Sequence, residues 1–187
     1  MKNVILYGGA FNPPTNAHKA ILEACITYAT EVDGEVWVMP SGNRFDKAIP
    51  TPIDKRLSLI EAFIQSVNSG STRVKIEDFE LRSSRRTQTF ETYTVLQRMY
   101  PEIRQTWVFG SDSILTMKRW ENGERLFDEL KMIVIERAGS VVVDMPPNAQ
   151  VIPVDTQEVS STMVREHISE ALDFSHLVPP EVHQLLT

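Results

Sequence analysis

Strand-like and helix-like segments alternate along almost the whole 187-residue chain, and this alternation restricts the fold more than any other feature. The apolar run "NVILY" (3–7) has the continuous hydrophobicity of a strand buried on both faces. In "AHKAILEACITYAT" (17–30), Ala20, Ile21, Ala24, Cys25 and Tyr28 recur at helical spacing. "EVWVMP" (35–40) reads as a second strand, and "PIDKRLSLIEAFIQSV" (52–67), with an Asp near its first turn, as a second helix. "RVKIEDFEL" (73–81) alternates at Val74 and Ile76, then at Phe79 and Leu81. That pattern predicts a half-buried strand with a slip in phase, its "EDFE" (77–80) a solvated end. "TFETYTVLQRMYP" (89–101) is a helix stopped by Pro101, and "TWVFGSD" (106–112) a strand entering a glycine turn. "SILTMKRWENGERLFDEL" (113–130) reads as two short helices broken at "ENG". "KMIVIERAG" (131–139) and "QVIPVD" (150–155) are further strands; "VSSTMVREHISEALD" (159–173) and "PPEVHQLL" (179–186) are closing helices.

Strand then helix, repeated, predicts an α/β fold: Rossmann-like and doubly wound, with a mainly parallel sheet, helices on both faces and a C-terminal helical segment. The length suits one domain, residues 1–187, whose helices from about residue 159 complete the site. Ligands in such sheets bind beyond the carboxyl ends of the strands. Four segments follow strands and so converge on one crevice: the loop after "NVILY", "PSGNRFDKAIPTP" (40–52), "ELRSSRRTQ" (80–88) and "GSD".

The formal net charge of −6 repels a nucleic-acid backbone, so DNA and RNA are not expected partners. A local cluster of Lys and Arg still accommodates a small anion. Cys25 is the one cysteine, which excludes an intrachain disulfide and reads as a small buried hydrophobe. "MKNVILYGGAF" is too short for a signal h-region, and no run approaches membrane-spanning length. A cytoplasmic protein is expected, with homo-oligomerisation left open.

Two short clusters carry chemistry. In "YGGAFNPPTNAHKA" (7–20), Gly8 and Gly9 allow close backbone approach and positive φ, and the helix starting near Asn16 aims its amides at the same space. His18 falls in the first turn of that helix, facing the crevice. A glycine turn with a surface histidine is the plain alternative. "VSSTMVR" (159–165) sets Ser160, Ser161 and Thr162 at a helix start with Arg165 one turn on, a set of donors suited to one anion. Its plain alternative is a serine N-cap followed by a solvated arginine. GxGxxG, GxxxxGK[ST] and GxSxG are all absent, and His167, His176 and His183 lack zinc-site spacing.

Together, "GGAFNPPTNAH" and "VSSTMVR" resemble the nucleotidyltransferases with a (T/H)xGH-type motif and an ISSTxxR motif, and within them the nicotinate (or nicotinamide) mononucleotide adenylyltransferases. "RLSLIEAF", "TFETYTVLQRMYPE", "WVFGSDSILTMKRW", "ERAG" and "LVPPEV" follow in that family's order, so the resemblance runs from residue 4 to about 186. It implies attack of a mononucleotide 5′-phosphate on the α-phosphorus of ATP, with Mg²⁺ travelling on the ATP and pyrophosphate leaving. Charge stabilisation and positioning would then supply the catalysis, without a covalent intermediate.

By that resemblance the catalytic residues are His18, Arg165 and Lys47. Gly8, Gly9, Ala10, Phe11 and Thr15 line the ATP cleft with His18, and Ser161, Thr162 and Arg165 bind its β- and γ-phosphates. Asp112 matches an aspartate placed for the adenosine ribose. Lys47, Thr89 and Trp120 match the mononucleotide side, with Trp120 stacking on the pyridine ring. No protein-held metal is implied.

Three features depart from the family pattern: Thr15 stands for a first histidine, Gln88 for a tyrosine, and "RFDK" for a proline-rich run. All bear on rate or acceptor choice more than on reaction type. Two rival readings stay open, a pantetheine-phosphate adenylyltransferase and a non-catalytic nucleotide-binding module. "RSSRR" (82–86) reads either as a basic lure for anions or as a plain surface loop.

Overall fold

The computed structural model describes residues 1–42, 49–83, 87–136, 144–156 and 158–187. Within these residues, six strands form one parallel sheet: β1 (Lys2–Gly9), β2 (Gly34–Pro40), β3 (Val74–Ile76), β4 (Ile103–Gly110), β5 (Met132–Glu136) and β6 (Ala149–Pro153). Their spatial order is β3-β2-β1-β4-β5-β6, the doubly wound order that reverses between β1 and β4. Among the described residues, eight helices accompany them: α1 (Asn16–Glu31), α2 (Ile53–Gln65), α3 (Phe79–Arg82), α4 (Thr89–Met99), α5 (Ser111–Met117), α6 (Gly123–Glu129), α7 (Ser161–Ser169) and α8 (Pro180–His183).

Alternation along β1 divides the interior in two. Ile5 and Tyr7 pack with residues of α1, α2 and α7, whereas Val4 and Leu6 pack with Leu96, Ile114, Met117 and Leu126 on the opposite face. Helices therefore cover both faces, as the strand–helix alternation predicts. The register sets Tyr7 of β1 between Val38 of β2 and Val108 of β4, and Gly9 beside Pro40. The strand ends thus finish level, and the loops leaving them share one side of the sheet.

Several boundaries differ from the sequence reading. The strand expected over 73–81 ends at Ile76, because Val36 and Val38 of β2 offer Val74 and Ile76 their pairing and the chain then turns into α3. The apparent slip in phase is this change of element. Nor is "EDFE" a solvated end: Glu77 is buried, accepts the Tyr100 hydroxyl at 3.1 Å and pairs with Lys75 at 3.6 Å. Glu80 accepts the Thr92 hydroxyl at 2.6 Å. β4 begins three residues earlier than the apolar run, and α7 stops at Ser169, before Ala171 turns to a φ of +54°. The break at "ENG" is real: Asn122 has a φ of +54°, and a Cβ on Gly123 would collide with the Met117 carbonyl. That break leaves Trp120 between α5 and α6.

Candidate active site

A cavity of about 630 Å³ opens at the carboxyl ends of β1 and β4, where the strand order reverses. Tyr7, Gly8 and Gly9 form one wall with His18 and Ile21 of α1. Met39 and Ser41 close it on the β2 side, and Glu80, Thr87, Gln88 and Thr89 above. Trp107, Val108, Phe109 and Gly110 of β4 continue into Asp112, Ser113, Trp120 and Glu121.

His18 is held by the cap of its own helix. Thr15 is the N-cap, and its hydroxyl accepts the His18 N–H at 3.4 Å. The Thr15 N–H in turn donates to His18 Nδ1 at 3.0 Å. An accepting Nδ1 puts the proton of the neutral ring on Nε2, the tautomer able to donate to an anion. Phe11 steadies the ring from behind at a centroid distance of 5.2 Å.

This arrangement corrects parts of the sequence reading. Thr15 is fully buried with its hydroxyl engaged in the cap, so it positions His18 and does not face the cavity. Gly8 and Gly9 are ordinary strand residues; the positive φ falls on Phe11, at 45°. Gly9 matters for a different reason, since a Cβ there would press against the Phe11 ring at 3.0 Å. Ala10 and Phe11 lie outside the cavity wall, and Phe11 is fully buried among Tyr7, His18 and Phe63. Nor is the start of α1 an open row of amides: Asn16 N–H donates to the Leu177 carbonyl at 2.9 Å and His18 N–H to Thr15.

The second cluster joins the first across the chain. Ser161 donates to the Pro13 carbonyl at 2.8 Å, and Arg165 Nη1 to the Asn12 carbonyl at 2.7 Å. Arg165 Nη2 donates to Thr162 Oγ1 at 3.0 Å, while Ser160 caps α7 by accepting the Met163 N–H at 3.1 Å. The two motifs thus meet in one loop–helix contact, although α7 supplies no residue to the cavity wall.

Beyond β4 the wall is aromatic. Trp107 and Phe109 lie nearly parallel with centroids 6.2 Å apart, and Trp120 meets Phe109 edge-on at 6.1 Å. Trp120, Thr89 and Asp112 all line the cavity, and the Asp112 carboxylate folds back over Gly110, where a Cβ would strike it. Lys47 lies outside the described residues, as do Arg85 and Arg86 of "RSSRR"; Arg82 is exposed and pairs with Asp78. Cys25 is buried, and burial pushes its thiol up to about 12, which makes it inert.

Trp107, Phe109 and Arg56 escape a motif-based reading, yet each left a signal. The two aromatics sit at i and i+2 just before Gly110, on one face of a strand that ends at the crevice. Arg56 shares helical spacing with Leu59, Ile60 and Phe63, which sets a cation on the buried stripe of α2. It is 3% exposed. Among the described residues, no group of His, Cys, Asp or Glu side chains is gathered to hold a metal, and no helix is long and apolar enough to cross a membrane.

Comparison with known proteins agrees with this geometry. The cytidylyltransferase-like family matches residues 6–167. A Bacteroides fragilis protein named "Probable nicotinate-nucleotide adenylyltransferase" is 31% identical over 185 residues, spanning 96% of this chain and 88% of its own. The Bacillus subtilis "Nicotinate-nucleotide adenylyltransferase" is 29% identical over 184 residues, covering 97% and 94%. In structure, Plasmodium falciparum nicotinic acid mononucleotide adenylyltransferase, complexed with NaAD, superposes with a TM-score of 0.85 at 23% identity, covering 100% of this chain and 95% of that one, which bears on the fold alone. With the two motif clusters joined beside one cavity and the homology spanning nearly the full length, the chain belongs to the cytidylyltransferase-like family, among its nicotinate-nucleotide adenylyltransferases.

Proposed function

We propose that the protein transfers the adenylyl group of ATP to nicotinate mononucleotide, with the nicotinamide form a poorer acceptor. An oxygen of the acceptor's 5′-phosphate bonds to the α-phosphorus, the bond to the β-phosphate bridging oxygen breaks, and pyrophosphate leaves. The product is nicotinate adenine dinucleotide, the deamido form of NAD, so the reaction serves NAD biosynthesis. The observation that carries this reading is the cavity itself, with His18 on the β1 side and the Trp107–Phe109–Trp120 wall beyond β4.

In this reading His18 donates from Nε2 to the ATP phosphates and to the leaving pyrophosphate. Ser161, Thr162 and Arg165 take the β- and γ-phosphates, exchanging their present protein partners for phosphate oxygens. Gly8 and Gly9 let the nucleotide lie against bare backbone, and Asp112 receives the adenosine ribose. Lys47 completes the phosphate contacts of the acceptor. Trp120 stacks on the pyridine ring and Thr89 meets its substituent. Mg²⁺ enters on ATP as part of that substrate. A planar ring fits the aromatic wall better than the flexible arm of phosphopantetheine does. The cytoplasm is the proposed compartment, in keeping with a lone buried thiol.

Pyrophosphate release from ATP and Mg²⁺ tests the reading, with nicotinate mononucleotide, nicotinamide mononucleotide and phosphopantetheine compared as acceptors. Turnover greatest with nicotinate mononucleotide, with the dinucleotide mass recovered, is the expected result. Turnover with phosphopantetheine alone overturns the acceptor. ATP binding without turnover on any acceptor overturns the activity.

A further inference from the structure

The guanidinium of Arg56 stands behind the cavity, yet it holds two of the loops that frame it. Its Nη2 donates to the Ala10 carbonyl at 2.8 Å and to the Ser41 carbonyl at 2.7 Å. Ala10 directly follows β1, and Ser41 directly follows β2. The Ser41 N–H closes the same knot by donating to the Gly9 carbonyl at 2.9 Å. Three hydrogen bonds therefore tie together the carboxyl ends of adjacent strands, at the level where Gly8, Gly9 and Ser41 meet the cavity.

Packing alone does not call for a cation here. A buried charge forfeits its hydration, and an apolar side chain of similar shape would fill the same space at lower cost. No ion pair compensates Arg56 among the described residues, and its buried Nε–H has no partner there. What a guanidinium adds over a methionine is a pair of charge-assisted donors in a rigid plane, which fix two carbonyls at a set spacing. It also leaves positive charge behind a crevice that receives two anionic substrates.

We propose that Arg56 is a positioning residue for adenylyl transfer, clamping the loops after β1 and β2 at the separation that aligns the attacking phosphate with the α-phosphorus. The inference rests on the activity proposed above. Because Arg56 does not line the cavity, substrate contacts survive its removal while alignment does not. Misplacement of reacting groups by about 1 Å costs on the order of 100-fold in rate. The effect therefore falls on kcat, with KM for ATP and for the mononucleotide little changed.

The test compares wild type, Arg56→Met and Arg56→Lys by kcat, both KM values and Tm, with kinetics read well below each Tm and normalised to folded protein. The expected result is a kcat lowered about 100-fold in Arg56→Met and by a smaller factor in Arg56→Lys, whose ammonium keeps the charge on a shorter stem without the planar fork. Both KM values stay within about threefold of wild type, a split that a purely structural role does not produce. Wild-type kcat per folded molecule in both variants, with only Tm reduced, overturns the proposal. Should Arg56→Met fail to fold, Arg56→Lys alone decides by the same criterion. A wild type that turns over no pyridine mononucleotide overturns the activity itself, an outcome distinct from active wild type with indifferent variants.

Discussion

The backbone N–H of Thr15 donates to Nδ1 of His18 at 3.0 Å, so the cap of α1 and the orientation of the candidate catalytic ring are one structure. The residue that stands for a histidine in the first motif thereby orients the His18 ring. His18→Ala removes the Nε2 donor, and loss of one transition-state donor costs about 2.7–4 kcal/mol, or roughly 100- to 1000-fold in kcat. Steady-state kinetics with ATP and nicotinate mononucleotide check this, and near-normal turnover removes His18 from the catalytic set.

Arg165 bonds the Asn12 carbonyl and Thr162 Oγ1, so its removal loosens the first loop and, in the proposed function, also deletes a phosphate donor. Arg165→Ala is expected to raise KM for ATP at least about tenfold, the loss of roughly 1.4 kcal/mol of charge-assisted bonding, and to lower kcat. KM for the mononucleotide changes less. Unaltered kinetics toward ATP would show that "VSSTMVR" serves only to anchor the loop.

Trp120 lies against Phe109 in the wall beyond β4. Replacing Trp120 by Ala removes one stacking face, worth about 0.5–1.5 kcal/mol beyond area, so KM for the pyridine mononucleotide rises about threefold or more. Phe109→Leu should give a weaker effect of the same kind by removing the edge-on support. A rise in KM for ATP instead would place the adenine, not the pyridine, on this wall.

At the far end of the sheet, Glu35 is buried, accepts Trp37 Nε1–H at 3.0 Å and pairs with Lys2 and with Arg73. Burial alone would raise its carboxyl. The hydrogen bonds from Lys2 and Trp37, with the charges of Lys2 and Arg73, outweigh that and hold the group below the ordinary glutamate value. A depressed folded pKa stabilises the protein above the unfolded value, about 4.3, and that contribution is lost as pH falls through the lower folded value. Glu35→Gln should therefore be less stable than wild type at pH 7, with the gap narrowing below about pH 4. Urea unfolding at pH 7, 5 and 3 measures it, and a gap constant across pH contradicts the assignment.

The order of strands and helices was legible in the chain because each burial pattern is local. The continuous apolar run at residues 3–7 marks a strand covered on both faces, and the 3.6-residue stripe of α1 marks a helix covered on one. Glycines and small polar residues likewise mark where strands give way to loops. From these alone follow the α/β class, the crevice at the strand ends and His18 in its wall, while the family resemblance was needed to single out Trp120.

Tertiary contact decided the rest, because it concerns partners far apart in sequence. Whether 77–80 continues a strand depends on what β2 offers beside it, and Glu77 became a buried acceptor only when Tyr100 reached it. Thr15 turned inward because the N–H and hydroxyl at a helix start must find an acceptor and a donor, which the His18 ring Nδ1 and the His18 backbone N–H supply. Ser161 and Arg165 found theirs at Pro13 and Asn12, about 150 residues away. Sequence spacing encodes which face a residue takes; which carbonyl it then meets is settled by the packing of elements that the spacing never relates.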